Sequence, residues 1–247
     1  EREHLIFDAE IFKDMVKQTS FAASVDESKG VLVGVLTEIH PQSVSMVALD
    51  GYRLAVSTEK MNSGQENHFI ISAKIINEIS KIIAEDGDAE EVEIYLGKKK
   101  ATFRIDTTEI VLRLMEGEYI KYRDIMPTQS TTDIVIGRAI LQESIERASL
   151  LAREGKNNLI KMTIKNNLLT ITSRSEEGNV KEEIIMEKEG EDLEIGFNSK
   201  FVIDVLKVID DDEISMHFLT GTSPCMVKPV SGDAYEYLIL PVRIPIM

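Results

Sequence analysis

Four histidines and one cysteine are the side chains of this 247-residue chain best suited to bind a metal or act as nucleophiles. His4, His40, His68 and His217 show no spacing typical of metal ligands. Cys225 follows a proline in a predicted strand, where a buried structural thiol is expected. The sequence contains neither a glycine-rich phosphate loop nor a nucleophile elbow. It therefore predicts no catalytic site, no metal, no cofactor and no enzymatic activity of its own.

Two other segments have the chemistry of binding rather than catalysis. In "MVALDGYRLAVS", residues 46–57, Asp-Gly between alternating apolar runs is a strong signal for a β-hairpin with a type I′ turn. An arginine between an aromatic residue and a leucine follows that turn. The last segment, "LILPVRIPIM", keeps apolar residues at alternate positions, and two prolines favour an extended chain. A free apolar tail would be a liability, so we expect it to lie along a groove or help to form one.

The elements that position these segments form an internal repeat. Residues 71–83 and 197–209 share an amphipathic helix pattern at a spacing of 126, and residues 9–23 resemble 138–152 at a spacing of 129. Alternating apolar segments between the helices predict strands. The predicted fold is α+β, with two repeated domains that each have two helices packed on mostly antiparallel sheet. The predicted domains are 1–127 and 128–247, and the predicted helices are 9–23, 72–85, 138–153 and 199–210.

The hairpin sequence is present in only one copy of the repeat. The second half should have a corresponding hairpin after "LLTITSRS", but there the chain reads "EEGNVKEE". A feature found in one copy is a better candidate for function than one that the fold requires. The apolar tail is the other feature of this kind.

The net charge of −15 argues at first against nucleic acid, because lysine and arginine supply most affinity for phosphates. The charge is unevenly distributed, however. The four predicted helices carry nine bases against eight acids, while the rest of the chain carries −16. Lys74 and Lys81, like Lys200 and Lys207, are seven residues apart and share the face opposite the apolar positions. One interpretation is a solvated face with acid–base pairs. The other is a strip that lies beside a polyanion with few net phosphate contacts.

The remaining composition bears on location. A single cysteine excludes an internal disulfide and fits a reducing cytoplasm. No apolar run approaches the roughly 20 residues of a membrane span, and no signal-peptide pattern is present, so no membrane partner is predicted. Because the first residue is Glu1 rather than Met, we expect a processed or truncated piece of a longer protein.

The hairpin and tail together resemble those of the bacterial DNA polymerase III beta subunits, the replicative sliding clamps. The similarity lies in "ALDGYRLA" at 48–55 and "LPVRI" at 240–244, with "FAAS" at 21–24 and "NSKFVIDVLK" at 198–207 also similar. It implies a processivity factor, an accessory subunit in which repeated domains form a ring around duplex DNA without sequence preference. Helices would line the hole. The polymerase catalytic subunit, the clamp loader and repair polymerases would bind through short linear peptides.

The resemblance also implies which residues bind. The peptide would occupy a hydrophobic pocket with few polar anchors. By position, the pocket would contain Leu32, Leu49, Gly51, Tyr52, Arg53, Leu54, Ile120, Ile125, Pro224, Leu238, Leu240, Pro241, Val242 and Arg243. The DNA-facing residues would be Lys13, Lys17, Lys74, Lys81, Arg147, Arg153, Lys200 and Lys207. The chain departs from the family at Asp124, where some members have arginine, and at 245–247, which extend beyond the usual end.

Length leaves alternatives open. Members of the family have three such domains, and two chains close a six-domain ring, so the motifs here correspond to the second and third domains. A ring-forming homo-oligomer is expected of the full-length protein. One alternative is a two-domain clamp that closes as a trimer, as in the archaeal and eukaryotic type, although the hairpin and tail argue against it. Another is a peptide-binding adaptor that does not encircle DNA. The third is an enzyme with an unknown substrate.

Overall fold

The computed structural model describes residues 3–87, 89–153 and 155–245. The chain divides into two compact units, Glu1–Lys121 and Tyr122–Met247, called unit 1 and unit 2 below. The division falls a few residues before the domain boundary predicted from the sequence.

Unit 1 consists of two α-helices and two four-stranded antiparallel sheets. Within this unit the strand orders are β1-β6-β7-β8 and β4-β3-β2-β5. The elements in chain order are β1 (Glu3–Asp8), α1 (Ala9–Thr19), β2 (Gly34–His40), β3 (Ser43–Leu49), β4 (Arg53–Lys60), β5 (Asn67–Ser72), α2 (Ala73–Asp86), β6 (Glu91–Leu96), β7 (Lys100–Ile105) and β8 (Thr108–Arg113).

Unit 2 repeats this arrangement. Its strand orders are β9-β15-β16-β17, with β13 added beside β9, and β12-β11-β10-β14. The predicted duplication of an α+β unit is confirmed. The elements are β9 (Thr132–Gly137), α3 (Arg138–Ala152), β10 (Leu159–Lys165), β11 (Leu168–Ser175), β12 (Gly178–Ile185), β13 (Glu187–Gly190), β14 (Leu193–Asn198), α4 (Ser199–Leu206), β15 (Glu213–Phe218), β16 (Cys225–Pro229) and β17 (Tyr235–Ile239).

The helices form because their apolar residues recur on one face. In unit 1, α1 buries Phe12 and Met15, and Phe12 makes edge-on ring contacts with Phe7 and Phe103, at centroid distances of 5.7 and 6.0 Å. Each such buried side chain contributes roughly 1.5–3 kcal/mol to stability. In unit 2, the Ser173 hydroxyl donates to the Ala148 carbonyl at 2.6 Å and joins β11 to α3. The charged residues of each helix are thereby left on its outer face.

Two predicted helices end earlier than expected. The helix predicted over 9–23 ends at Thr19 and continues as a short 3-10 turn, Ser20–Ala22. The helix predicted over 199–210 ends at Leu206. The segment that follows α4 is bound to the start of α3 instead. The Arg138 backbone N–H donates to the Asp212 carbonyl, and the Arg138 guanidinium donates to the Asp211 carbonyl.

The sequence patterns also miss the strand that precedes the first helix of each unit. Strands β1 and β9 each have six residues and run directly into a helix, so no loop separates the strand pattern from the helix pattern. Among the helices of the described ranges, none is long and apolar enough to cross a membrane.

Candidate functional site

The hairpin of unit 1 turns through Gly51 and Tyr52. Leu49 lies opposite Leu54 in the ladder, and the Asp50 N–H donates to the Arg53 carbonyl at 3.3 Å. Gly51 has φ = 92°, and Tyr52 is not among the residues with positive φ. A type I′ turn needs positive φ at both central residues, and here only Gly51 has it.

The expectation of a type I′ turn, with Asp50 and Gly51 as the central pair, is therefore wrong. The reason is the Asp50 carboxylate, which accepts hydrogen bonds from the backbone N–H groups of Tyr52, at 2.9 Å, and Arg53, at 3.1 Å. These bonds place Asp50 before the turn rather than within it.

Arg53 attaches the hairpin tip to the body of unit 1. Its Nε donates to the Asp50 carboxylate at 3.2 Å, and its Nη2 donates to the Phe21 carbonyl at 3.1 Å. The guanidinium carbon also lies 5.2 Å from the centre of the Phe21 ring. The Arg53 side chain is only 10% exposed, whereas Tyr52 is 60% exposed. The arginine therefore holds the turn, and the tyrosine faces solvent.

The other residues predicted in unit 1 differ in exposure. Leu49 and Leu54 are buried, and Leu32 is half-buried at the end of a 3-10 segment, Glu27–Val33. Ile120 is 43% exposed. It follows Tyr119, whose hydroxyl approaches the Gly34 and Val47 carbonyls at 3.4 and 3.5 Å, and burial raises the pKa of that phenol. Sequence reasoning missed Tyr119, which holds this segment against β2 and β3.

The tail of unit 2 is held by a close backbone approach. After β17 ends at Ile239, the Val242 N–H donates to the Gly196 carbonyl of β14 at 2.8 Å. A Cβ at Gly196 would lie 2.7 Å from the Val242 carbonyl oxygen and 3.0 Å from the side chains of Ile244 and Leu159. Only glycine leaves room for this approach. The signal that could have identified it is a glycine inside a predicted strand.

The remaining predicted residues of unit 2 are mostly accessible. Leu238 is buried in β17, and Ile125 is 50% exposed in the 3-10 segment Tyr122–Ile125. Arg243 is exposed. The half-buried residues are Pro224, Leu240, Pro241 and Val242. Ile246 and Met247, which the tail prediction included, lie outside the described residues.

The basic residues predicted to face DNA in unit 1 are largely paired. Lys13 contacts Glu10 at 2.7 Å, Lys74 contacts Glu27 at 2.8 Å and Lys81 contacts Glu78 at 2.6 Å. The hydrogen bonds to Glu27 and Glu78 raise the pKa of the two exposed lysines above its usual range, so both stay charged. Lys17 is exposed on α1.

In unit 2 the corresponding bases behave in the same way. The Arg147 guanidinium forms two hydrogen bonds with Glu182, at 3.0 and 2.8 Å, and Lys207 lies 3.9 Å from Glu146. Lys200 and Arg153 are exposed. The acid–base pairs expected of a solvated face are therefore present, but they are surface pairs, which stabilise a fold little and exchange readily with other anions.

One cluster in unit 2 has the spacing of a catalytic triad. The Ser215 Oγ lies 3.0 Å from His217 Nε2, and His217 Nδ1 lies 2.7 Å from the Asp133 carboxylate. Ser215 is buried. Its hydroxyl lies 3.2 Å from the carbonyl oxygens of Lys228 and Pro229 and donates a hydrogen bond to them. A hydroxyl so engaged is a structural group rather than a nucleophile.

The other groups considered for chemistry are also structural. Cys225 is buried, and burial raises the pKa of its thiol. Within residues 3–87, 89–153 and 155–245, no three His, Cys, Asp or Glu side chains are grouped so as to hold a metal ion.

A twofold-repeated unit of two helices and two sheets, with a distinct hairpin in one copy and an anchored tail in the other, defines a protein of the DNA-clamp class. The chain belongs to the DNA polymerase III beta subunit family. Residues 7–121 match the family's central domain and residues 123–243 its C-terminal domain. The resemblance found in the sequence is thereby confirmed.

Individual relatives agree with this assignment. The chain is 37% identical over 236 residues to the beta sliding clamp of Staphylococcus epidermidis, and 35% identical to that of Staphylococcus aureus. These matches cover 94% of this chain but 62% of each relative, so the chain spans about three-fifths of their length.

Solved structures are also similar. The DNA polymerase III beta subunit of Thermotoga maritima superposes with a TM-score of 0.93 at 32% identity, over 98% of this chain and 66% of that one. The sliding clamp of Bacillus subtilis gives a TM-score of 0.94 at 32% identity, over 99% and 65%.

The anchoring of the tail yields a first prediction. In a Gly196→Ala variant, the new methyl group should displace Val242 and Ile244 and break the hydrogen bond at Val242. Such a bond is worth about 0.5–1.5 kcal/mol, so protection of the Val242 amide from hydrogen exchange should fall roughly tenfold. Exchange followed by NMR measures this.

The matched control is Gly155→Ala, also in unit 2, where the nearest heavy atom to a new Cβ is the Ala152 carbonyl oxygen at 3.6 Å. It should leave Val242 as protected as in the parent chain. Unchanged protection in Gly196→Ala would show that the close approach does not hold the tail.

Proposed function

We propose that this chain forms part of a sliding clamp, a processivity factor that encircles duplex DNA and tethers DNA polymerase III and other replication and repair proteins. The observation that carries the proposal is the pairing of a duplicated scaffold with two features found in one copy only, the DGYRL hairpin and the anchored tail. Relatives named beta sliding clamp support it. The chain would act as an accessory subunit, with polymerase activity in a partner, and in the full-length protein it would form a ring-shaped homo-oligomer in the cytoplasm.

We propose that the hairpin tip and the tail each contribute residues that bind partner peptides. The supporting chemistry is apolar with few polar groups: exposed Tyr52 and Ile125, half-buried Leu240 and Val242, and exposed Arg243. An apolar groove with a small number of polar anchors is the usual design for short linear peptides. Burial of one leucine or phenylalanine of the peptide would contribute roughly 1.5–3 kcal/mol. The partners would be the polymerase catalytic subunit, the clamp loader and repair polymerases.

Deletion of residues 241–247 tests the peptide site. The deletion removes Val242 and Ile244 but leaves every strand of unit 2, since β17 ends at Ile239. Isothermal titration with a Gln-Leu-x-Leu-Phe peptide should therefore show loss of binding, while circular dichroism shows both units folded.

The repeat offers a matched control for that experiment. The hairpin of unit 2 that corresponds to β3–β4 turns through Glu176 and Glu177, between Ser175 and Gly178. Alanine at both glutamates should leave peptide affinity unchanged. If instead the deleted chain binds as tightly as the parent, the site lies elsewhere.

We propose that the outer faces of the four helices lie beside DNA. Most of their bases are exposed, and several are held by surface pairs, which phosphates can replace without a large cost. Because the helices are near neutral and the rest of the chain is acidic, the contact would be weak, independent of sequence and sensitive to salt. Such a contact permits sliding. A ring supplies retention by topology rather than by affinity.

Charge reversal on the helices tests the proposed contact with DNA. In the full-length protein, Lys74→Glu, Lys81→Glu, Lys200→Glu and Lys207→Glu together should reduce loader-dependent retention on nicked circular DNA, because each change replaces attraction to phosphate by repulsion. Peptide binding should change little. The control carries the same four changes at exposed lysines outside the helices, Lys98, Lys99, Lys100 and Lys165.

The same assay separates a ring from an adaptor. Protein that encircles DNA should be released when the circle is linearised. Retention on linear DNA equal to that on the circle would contradict encirclement and favour a peptide-binding adaptor.

A further inference from the structure

Unit 2 contains a groove of about 600 Å³ that the proposed peptide site does not use. It lies along β10, β11 and β12, and the end of the tail lines one side of it. Its apolar lining includes Leu159, Val180, Ile244 and Pro245. The volume is within the range of about 300–1,000 Å³ that is usual for ligand sites.

The charged side chains that line the groove are all basic. Lys161 is the ladder partner of Thr172, and Thr172 is the ladder partner of Lys181. The three residues form one row across the sheet and project from the same face. Because adjacent strands are about 4.8 Å apart, the two lysines flank the Thr172 hydroxyl on either side. Arg174 projects from the same face two residues further along β11. In a chain with net charge −15, such a row is complementary to anionic groups.

The present partners of these lysines are exchangeable. Lys161 contacts Glu194 at 3.2 Å and Lys181 contacts Glu183 at 2.6 Å, and all four side chains are at least one-third exposed. Exposed pairs of this kind are weak. A carboxylate above Thr172 could accept from its hydroxyl and from both lysines, in charge-assisted hydrogen bonds that are stronger than neutral ones.

The tail connects the groove with the proposed peptide site. Val242 is held against Gly196, and Ile244 and Pro245, two and three residues further on, line the groove. A peptide that contacts the tail at Leu240 and Val242 therefore needs only a few more residues to reach Lys161 and Lys181.

We infer that the groove is a second docking segment for the same partner peptides, and that it takes an acidic stretch with an apolar side chain next to the apolar motif. This inference rests on the proposed function. The lysine row and Thr172 would bind the carboxylates, and Leu159 and Ile244 would contact the apolar side chain. The groove would thus select among partners that share the same motif.

The test compares peptides that differ only in their flank. One carries the apolar motif alone. Others add Asp-Leu-Glu-Asp at either end, or the uncharged Asn-Leu-Gln-Asn. In titrations of the full chain at low salt, the peptide with the acidic flank at one of its two ends should bind roughly tenfold more tightly than the peptide with the amide flank at that end. High salt should remove this gain in affinity. Without the groove, a chain of net charge −15 should repel the acidic flank, so the inference predicts the sign of the effect.

Variants assign the effect to the groove. Lys161→Gln with Lys181→Gln should abolish the gain and leave the affinity for the motif alone unchanged. The control, Lys98→Gln with Lys100→Gln, removes the same charge from the β6–β7 turn and the start of β7 in unit 1 and should keep the gain. Equal affinity for acidic and amide flanks, or a gain that survives in the groove variant, would overturn the inference.

Two further outcomes would bear on the peptide site itself and on the kind of ligand that the groove takes. Failure of the motif peptide to bind the parent chain would overturn the proposed peptide site itself. Displacement of the acidic flank by a single-stranded oligonucleotide, but not by free Asp-Leu-Glu-Asp, would show that the groove takes nucleic acid and would overturn the assignment to peptides.

Discussion

Each unit must bury two amphipathic helices against two antiparallel sheets, and this packing constraint leaves turns, chain ends and sheet edges freest to differ. The strand orders of the two units correspond because the same apolar faces have to be covered twice. The β3–β4 turn can therefore contain Gly51 and Tyr52 where the equivalent turn has Glu176 and Glu177. The candidate site is a local variation on a scaffold that does not depend on it.

The two variations are fixed by polar and backbone contacts rather than by the core. Arg53 is bound to Asp50 and to the Phe21 carbonyl, and this leaves Tyr52 exposed. The tail is held where Val242 meets Gly196. By contrast, Lys74, Lys81 and Lys207 on the helices are in weak surface pairs. In the proposed function, the apolar residues that bind peptides would thus be held more firmly than the basic residues that lie beside DNA.

Local patterns predicted most of the fold, and long-range contacts account for what they missed. The 3.6-residue period identified all four helices, and the repeat identified both copies of the unit. The predicted type of turn at Gly51 was wrong because the Asp50 side chain, which accepts from the Tyr52 and Arg53 N–H groups, determines the turn's conformation. The end of α4 depends on Arg138, some 70 residues away, and the role of Gly196 depends on a tail that arrives at the end of the chain. Spacing alone cannot reveal such contacts.

The proposed peptide binding uses the features found in one copy of the repeat and spares their counterparts in the other. Backbone amide NMR of this chain, titrated with a Gln-Leu-x-Leu-Phe peptide, tests it most directly. We expect shifts at Gly51, Tyr52 and Leu54 and along residues 240–243, with the equivalent turn at Glu176 and Glu177 unchanged. Shifts of similar size at that turn, or none at the hairpin and the tail, would contradict it.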